Sequence, residues 1–227
     1  VGWREWVRSV EVEPSLYAAD FTRLGDQLEE LLAAGTRIFH FDIGDGHFVP
    51  PVTIGPVVLR SIAPLVHGRG GVLDCHLMVT DPLHHFSELA QSGADSVTFH
   101  VEATDDPAGV AARARELGLG VGVAFKPATT PAAAAEAARA AGADLVLCMS
   151  IEPGYSGQPF MPEALDRVEQ LARLLPAETF IQVDGGVGPE NVRALRDRGA
   201  RLLVAGSSIF AADDPAGAYR RLVDELR

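Results

Sequence analysis

The stretch HFDIGDGHFVP (40–50) sets two histidines, two aspartates and two glycines into eleven positions of a chain that is 47% hydrophobic. Side chains alternate along a strand, so residues i and i+2 share a face. If RIFHFD (37–42) is a strand, His40 and Asp42 share one face while Phe39 and Phe41 take the other. In GVLDCHL (71–77) Asp74 and His76 share a face that Met78 continues, with Cys75 opposite; in TFIQVD (179–184) Gln182 and Asp184 do the same. Two imidazoles (His40, His76) and two carboxylates (Asp42, Asp184) converging at one end of these strands make a mixed nitrogen and oxygen site. It suits a borderline divalent ion, zinc first, with iron, manganese and cobalt as the other candidates. Each residue alone is as readily a hydrogen-bonded histidine or a capping aspartate. Together on one face they ask for a common partner, because buried carboxylates rarely cluster unless paired or metal-bound.

A second set of residues is glycine-rich. EPGYSGQPF (152–160), DGGVGPEN (184–191) and AGSSIF (205–210) each follow an apolar strand candidate. Glycines let backbone N–H groups approach an anion closely, and Ser207 adds a hydroxyl. None of these segments holds a lysine or arginine, so recognition of a phosphate there would rest on main-chain amides and a helix dipole. The competing reading is that the glycines only permit tight turns.

These residues need a scaffold that gathers strand ends. Strand candidates at 10–15, 37–42, 71–77, 95–101, 120–125, 144–149, 179–184 and 201–206 alternate with eight amphipathic stretches rich in Ala, Leu, Arg and Glu. Eight strand and helix units imply right-handed crossovers and a parallel sheet. Within 227 residues they predict one closed (β/α)8 barrel spanning 1–227, an architecture whose active sites lie at the C-terminal strand ends. Glycine just after the last helical turn recurs in LAAGTR, AQSGAD, ELGLG, ARAAGAD and RDRGAR, the mark of a left-handed helix stop. Residues 1–8 form an N-terminal extension before the first strand, where Trp3, Trp6 and Val7 could make one face of a short helix covering the barrel's bottom.

The formal charge of −12 argues against nucleic acid or anionic membrane as a partner, since phosphate backbones are met by clustered Lys and Arg. Cys75 and Cys148 lie within apolar runs and read as buried thiols rather than a disulfide. No apolar stretch approaches the roughly 18 residues of a membrane span. The opening VGWREWVRS lacks the apolar segment of a secretion signal. A cytoplasmic soluble protein is the expectation.

The chain resembles the ribulose-phosphate 3-epimerase family from PSLYAADFTRLG (14–25) through HFDIGDGHFVP, TIGP (53–56), CHLMV (75–79), HVEAT (100–104), MSIEPGYSGQPF (149–160) and VDGGVGPEN (183–191) to VAGSSIF (204–210). The resemblance implies that His40, Asp42, His76 and Asp184 ligate the metal and that Asp42 and Asp184 are the two acid/base groups. It implies further that Ser15, Gly154, Tyr155, Ser156, Gly157, Gly185, Gly186, Gly206 and Ser207 contact substrate or its phosphate, with Met78 and Met149 lining the reacting carbons. The implied reaction is 1,1-proton transfer at C3 of a ketose phosphate such as ribulose 5-phosphate, in a homo-oligomer. Three positions depart from the family's pattern: Gly44 stands where methionine is usual, Glu13 where glycine or alanine is usual, and Pro51 where asparagine is usual. Gly44 and Glu13 are therefore candidate specificity residues, with Gly44 expected to open room above the metal for a hexulose or heptulose phosphate. A non-catalytic sugar-phosphate binder and a Schiff-base aldolase built on Lys126, the only lysine among 19 basic residues, are the rival readings. His47, His67, His84 and His85 receive no role, and His100 at most a place behind the ligands.

Overall fold

The computed structural model describes residues 2–227. Eight strands run parallel: β1 (Glu11–Pro14), β2 (Ile38–Gly44), β3 (Val72–Met78), β4 (Ser96–His100), β5 (Gly120–Phe125), β6 (Leu145–Met149), β7 (Phe180–Asp184) and β8 (Leu202–Ala205). Each pairs with its neighbour in chain order and β8 returns to β1; a parallel bridge between Ser15 and His40 closes β1 onto β2. This is the predicted (β/α)8 barrel.

Ten helices accompany the strands: α1 (Trp3–Trp6), α2 (Leu24–Ala34), α3 (Pro56–Gly68), α4 (Pro82–Ser92), α5 (Pro107–Glu116), α6 (Pro131–Ala141), α7 (Glu163–Leu174), α8 (Val192–Asp197), α9 (Ser207–Phe210) and α10 (Pro215–Glu225). The starts of α4, α5, α6 and α10 follow one rule. Asp81, Asp106, Thr130 and Asp214 accept a first-turn N–H, and proline follows at the first helical position, where its missing N–H costs nothing. All five predicted stop glycines (35, 93, 118, 142 and 199) take positive φ. Among the described residues no helix is long and apolar enough to cross a membrane.

Burial separates two apolar layers as strand parity requires. Phe39, Phe41, Cys75, Leu77, Val97, Phe99, Val123 and Cys148 pack outward against the helices. Ile38, Val72, Leu145, Leu147, Met149 and Leu202 fill the barrel interior, where Trp3 and Trp6 of α1 join them from the bottom. Strands β2 and β3 run one to two residues past the predicted ends because their pairing continues to Gly44 and Met78. Thr53 extends it further by accepting the Gly44 N–H at 2.6 Å and donating to the Asp42 carbonyl at 2.7 Å.

Candidate metal centre and active site

Parity and register bring the four predicted ligands together. Asp42 and His76 are direct register partners across β2 and β3, and Asp184 ends β7. One donor atom from each of His40, Asp42, His76 and Asp184 lies within 4.8 Å of the others. His40 Nε2 stands 3.3 Å from Asp42 Oδ1, while His76 Nδ1 stands 3.1 Å from Asp42 Oδ1 and 3.8 Å from Asp184 Oδ2. The His40 Nδ1 faces Asp74 Oδ2 at 3.1 Å. Asp74 also accepts from Ser96 Oγ and Gln182 Nε2, so it serves as an acceptor and the Nδ1 side of His40 serves as the donor. That leaves His40 Nε2 buried, aimed at the cluster and without a hydrogen-bond partner. An orphaned imidazole nitrogen beside two carboxylates and a second imidazole is the donor set a divalent cation of zinc type takes. The residues present fit such an ion.

The electrostatics sort the two carboxylates. Burial disfavours charge on Asp42, but the imidazoles of His40 and His76 outweigh it and hold this carboxyl well below the usual range. Asp184 has burial and then the charge of Asp42 against it, and is pushed up to about 6. Burial also opposes charge on His40, yet Asp42 and Asp74 hold it well above its ordinary value. One carboxylate is thus biased to ionise and its neighbour to keep a proton, the separation of roles that acid/base pairs require.

Above the cluster opens a narrow cleft of about 40 Å³, with Ser15, Asp42, Met78, Asp184, Gly185, Gly186, Gly206 and Ser207 among its walls. Ser15 Oγ donates to Asp42 Oδ2 at 2.6 Å and so aims that carboxylate. Gly154, Tyr155, Ser156 and Gly157 roof the cleft, and a Cβ on Gly206 would lie 3.2 Å from Ser156 Oγ. Gly185 and Gly186 combine positive φ with close packing: a Cβ there would meet Ile151 at 2.4 Å or the Phe160 backbone at 2.6 Å. The glycines therefore let the loop after β6 lie directly on the loop after β7. Ser208 Oγ donates to the Val187 carbonyl at 2.7 Å and ties the loops after β7 and β8. No lysine or arginine lines the cleft among the described residues.

Three predicted residues sit differently from expectation. Met149, the register partner of Asp184, is buried beside Leu147 and Ile151 and does not line the cleft. Ser150 closes the strand end above it by donating to the Asp184 and Gly185 carbonyls. Gly44 opens no room: a Cβ there would lie 2.9 Å from both the Pro51 carbonyl and Val49 Cγ2, because the loop 49–53 folds into that space. Glu13 faces inward but below the cluster, hydrogen-bonded by Gln182 Nε2 and 4.0 Å from His40 Nδ1. Burial first and Asp74 second push its carboxyl up to about 8, so it is a neutral acid at pH 7. Lys126 Nζ lies over the Phe48 ring, outside the cleft, which offers nothing to the aldolase reading.

Tyr17, Val187 and Val204 line the cleft without having been anticipated. Val204 was within reach, since β8 parity points it inward; Tyr17 follows β1 in a single turn of 3-10 helix, and no periodicity marks it. The support of Asp74 was likewise legible as the D-x-H spacing on β3.

Residues 11–210 match the model of the ribulose-phosphate 3 epimerase family. The chain is 36% identical over 229 residues to the ribulose-phosphate 3-epimerase of Candida glabrata, covering 95% of this chain and 92% of that one. It is 37% identical over 219 residues to the Escherichia coli K12 protein of that name, covering 95% and 94%. Among solved structures, the 3-hexulose-6-phosphate synthase of Salmonella typhimurium superposes with a TM-score of 0.72 at 18% identity, covering 95% of this chain and 98% of that one. At that identity the likeness is one of fold.

Proposed function

The chain belongs to the ribulose-phosphate 3-epimerase family, and from that premise we propose that it inverts C3 of a ketose phosphate of the ribulose 5-phosphate type. The observation that carries this reading is the pair Asp42 and Asp184: two buried carboxyls on one cleft floor, one biased to ionise and the other to hold a proton. Asp42 removes the C3 proton from one face of the substrate as general base. Asp184, as the acid, returns a proton to the opposite face, and the roles exchange in the reverse direction. Ser15 keeps the Asp42 carboxylate oriented for that transfer. A divalent cation held by His40, Asp42, His76 and Asp184, zinc being the first candidate, would supply Lewis-acid charge beside the oxygens on C2 and C3.

The rest of the cleft positions and shields. Main-chain amides of Gly185, Gly186, Gly206 and Ser207, with the Ser207 hydroxyl, hold the phosphate without a basic side chain. Met78 gives the reacting carbons an apolar wall that neither accepts protons nor admits water. The cleft's 40 Å³ is close to the share of a single water, roughly 30 Å³. Substrate therefore enters when the 154–157 segment lifts.

Ribulose 5-phosphate turned over in deuterium oxide tests the reading: xylulose 5-phosphate should form with solvent deuterium at C3. Asp42→Asn and Asp184→Asn should each lower kcat at least 100-fold, the lower end for loss of a general acid or base. Product formed with its C3 hydrogen retained would exclude proton transfer at that carbon.

A further inference from the structure

Behind His76 runs a hydrogen-bonded chain that none of the roles above uses. His76 Nε2 lies 2.9 Å from Nε2 of His100, the last residue of β4. Nδ1 of His100 lies 3.1 Å from Oε2 of Glu102, in the turn that follows. The other oxygen of Glu102 accepts from the Lys126 N–H at 2.8 Å and from the Thr129 hydroxyl at 2.5 Å, so the loop after β5 fixes the carboxylate in place. His100 is buried; the Phe48 ring lies 4.8 Å from its own, and Lys126 Nζ sits 3.7 Å from the Phe48 centroid.

The proton positions along this chain follow from donor and acceptor chemistry. An ionised carboxylate only accepts, so His100 Nδ1 carries a hydrogen toward Glu102. Two N–H groups cannot face each other at 2.9 Å, so only one of the two opposed Nε2 atoms is protonated. A second proton on His100 is opposed by its burial and by the ammonium beyond Phe48. His100 therefore offers a lone pair at Nε2 and His76 donates to it. The remaining nitrogen of His76, Nδ1, is left as a lone pair, and it is the atom facing Asp42 and Asp184.

We propose that Glu102 and His100 are positioning residues that fix the tautomer and ring plane of His76, so that it presents Nδ1 as an acceptor to the metal centre. Asp74 does the same for His40 by direct contact, presenting Nε2. The His76 side needs a longer chain because its partner on β4 in register is Thr98, and the next carboxylate on that side lies beyond the strand end. The proposal rests on reading the four clustered residues as a metal centre, and its test separates the two.

The tautomer is read first, without metal, from long-range ¹H–¹⁵N NMR of the ¹⁵N-labelled protein. His76 should be protonated at Nε2 and bare at Nδ1. Zinc affinity of the metal-free protein is then measured by chelator competition. His100→Phe keeps an aromatic ring but removes the acceptor, and Glu102→Gln removes the charge from a surface-side position that folding does not depend on. Each should weaken zinc binding about 10- to 100-fold, the usual effect of losing a ligand's hydrogen-bond partner, and give His76 mixed tautomers. His100→Gln, whose amide oxygen can accept from His76, should recover most of the affinity. Protonation of His76 at Nδ1 in the parent overturns the proposal, as do zinc affinities of both His100→Phe and Glu102→Gln within about twofold of the parent. A parent with the expected tautomer but no affinity for zinc, iron, manganese or cobalt upholds the tautomer assignment and sinks the metal-centre reading instead.

Discussion

At the scale of single residues, the two departures from the family pattern do different things. Gly44 makes way for backbone, since the Pro51 carbonyl and Val49 occupy the space a side chain would need. Gly44→Ala should therefore cost about 1–3 kcal/mol, as overpacking does, and Gly44→Met at least as much. Urea denaturation checks this; an unchanged midpoint for Gly44→Ala would mean that the 49–53 loop moves aside freely. Glu13 is a neutral acid among polar partners, below the reacting groups. Glu13→Gln preserves its shape and charge state at pH 7, and its amide can donate to the unpartnered Gln182 Oε1. It should stay within about 1 kcal/mol of the parent in stability, whereas Glu13→Ala, which leaves a gap and a lost hydrogen bond, should cost about 2–5 kcal/mol. Equal losses in the two variants would show that the acid proton itself is needed.

At the scale of elements, the loops after β2 and β3 are joined by one carboxylate. Asp45 accepts from the backbone of His47 and Phe48 in its own turn, and from the Thr80 N–H and hydroxyl beyond β3. Burial slightly disfavours its charge, but these donors hold it down at about 2. An unfolded aspartate titrates near 4, so the folded state binds this proton more weakly and the ionised form is the stabilising one. The contribution is complete above about pH 5 and fades as pH falls from about 4 through 2. Asp45→Asn should accordingly lower Tm at pH 7 and converge with the parent near pH 2.5; a gap that persists unchanged in acid would remove the charge from the explanation. The strand faces behind these loops were legible in the sequence, because period-two alternation is enforced by burial on both sides of a barrel wall. Thus His40, Asp42, His76 and Asp184 could be gathered from spacing alone. The path of residues 49–53, the closure over Met149 and the placement of Tyr17 were not legible: they depend on loop packing, which carries no period.

At the scale of the whole molecule, the barrel is polar and reactive at one end and sealed by tryptophan at the other. Trp3 and Trp6 meet edge to face with ring centroids 5.2 Å apart and close the bottom over Ile38, Val72, Leu145 and Leu202. Ile38 lies below Asp42 by roughly 13 Å along β2, at about 3.3 Å per residue, with the layer of Glu13, Asp74 and Gln182 between. Stability and chemistry should therefore separate. Trp3→Ala should cost about 3–5 kcal/mol, the range for a buried tryptophan, while kcat per folded molecule at 25 °C stays within about twofold. Trp3→Phe should cost less, because it keeps most of the apolar ring and deletes an indole N–H that is buried without a partner. Guanidinium denaturation alongside initial rates would read both quantities from the same samples. A fall in kcat that tracks the loss of stability would show that packing at the sealed end holds the carboxylates in place at the other.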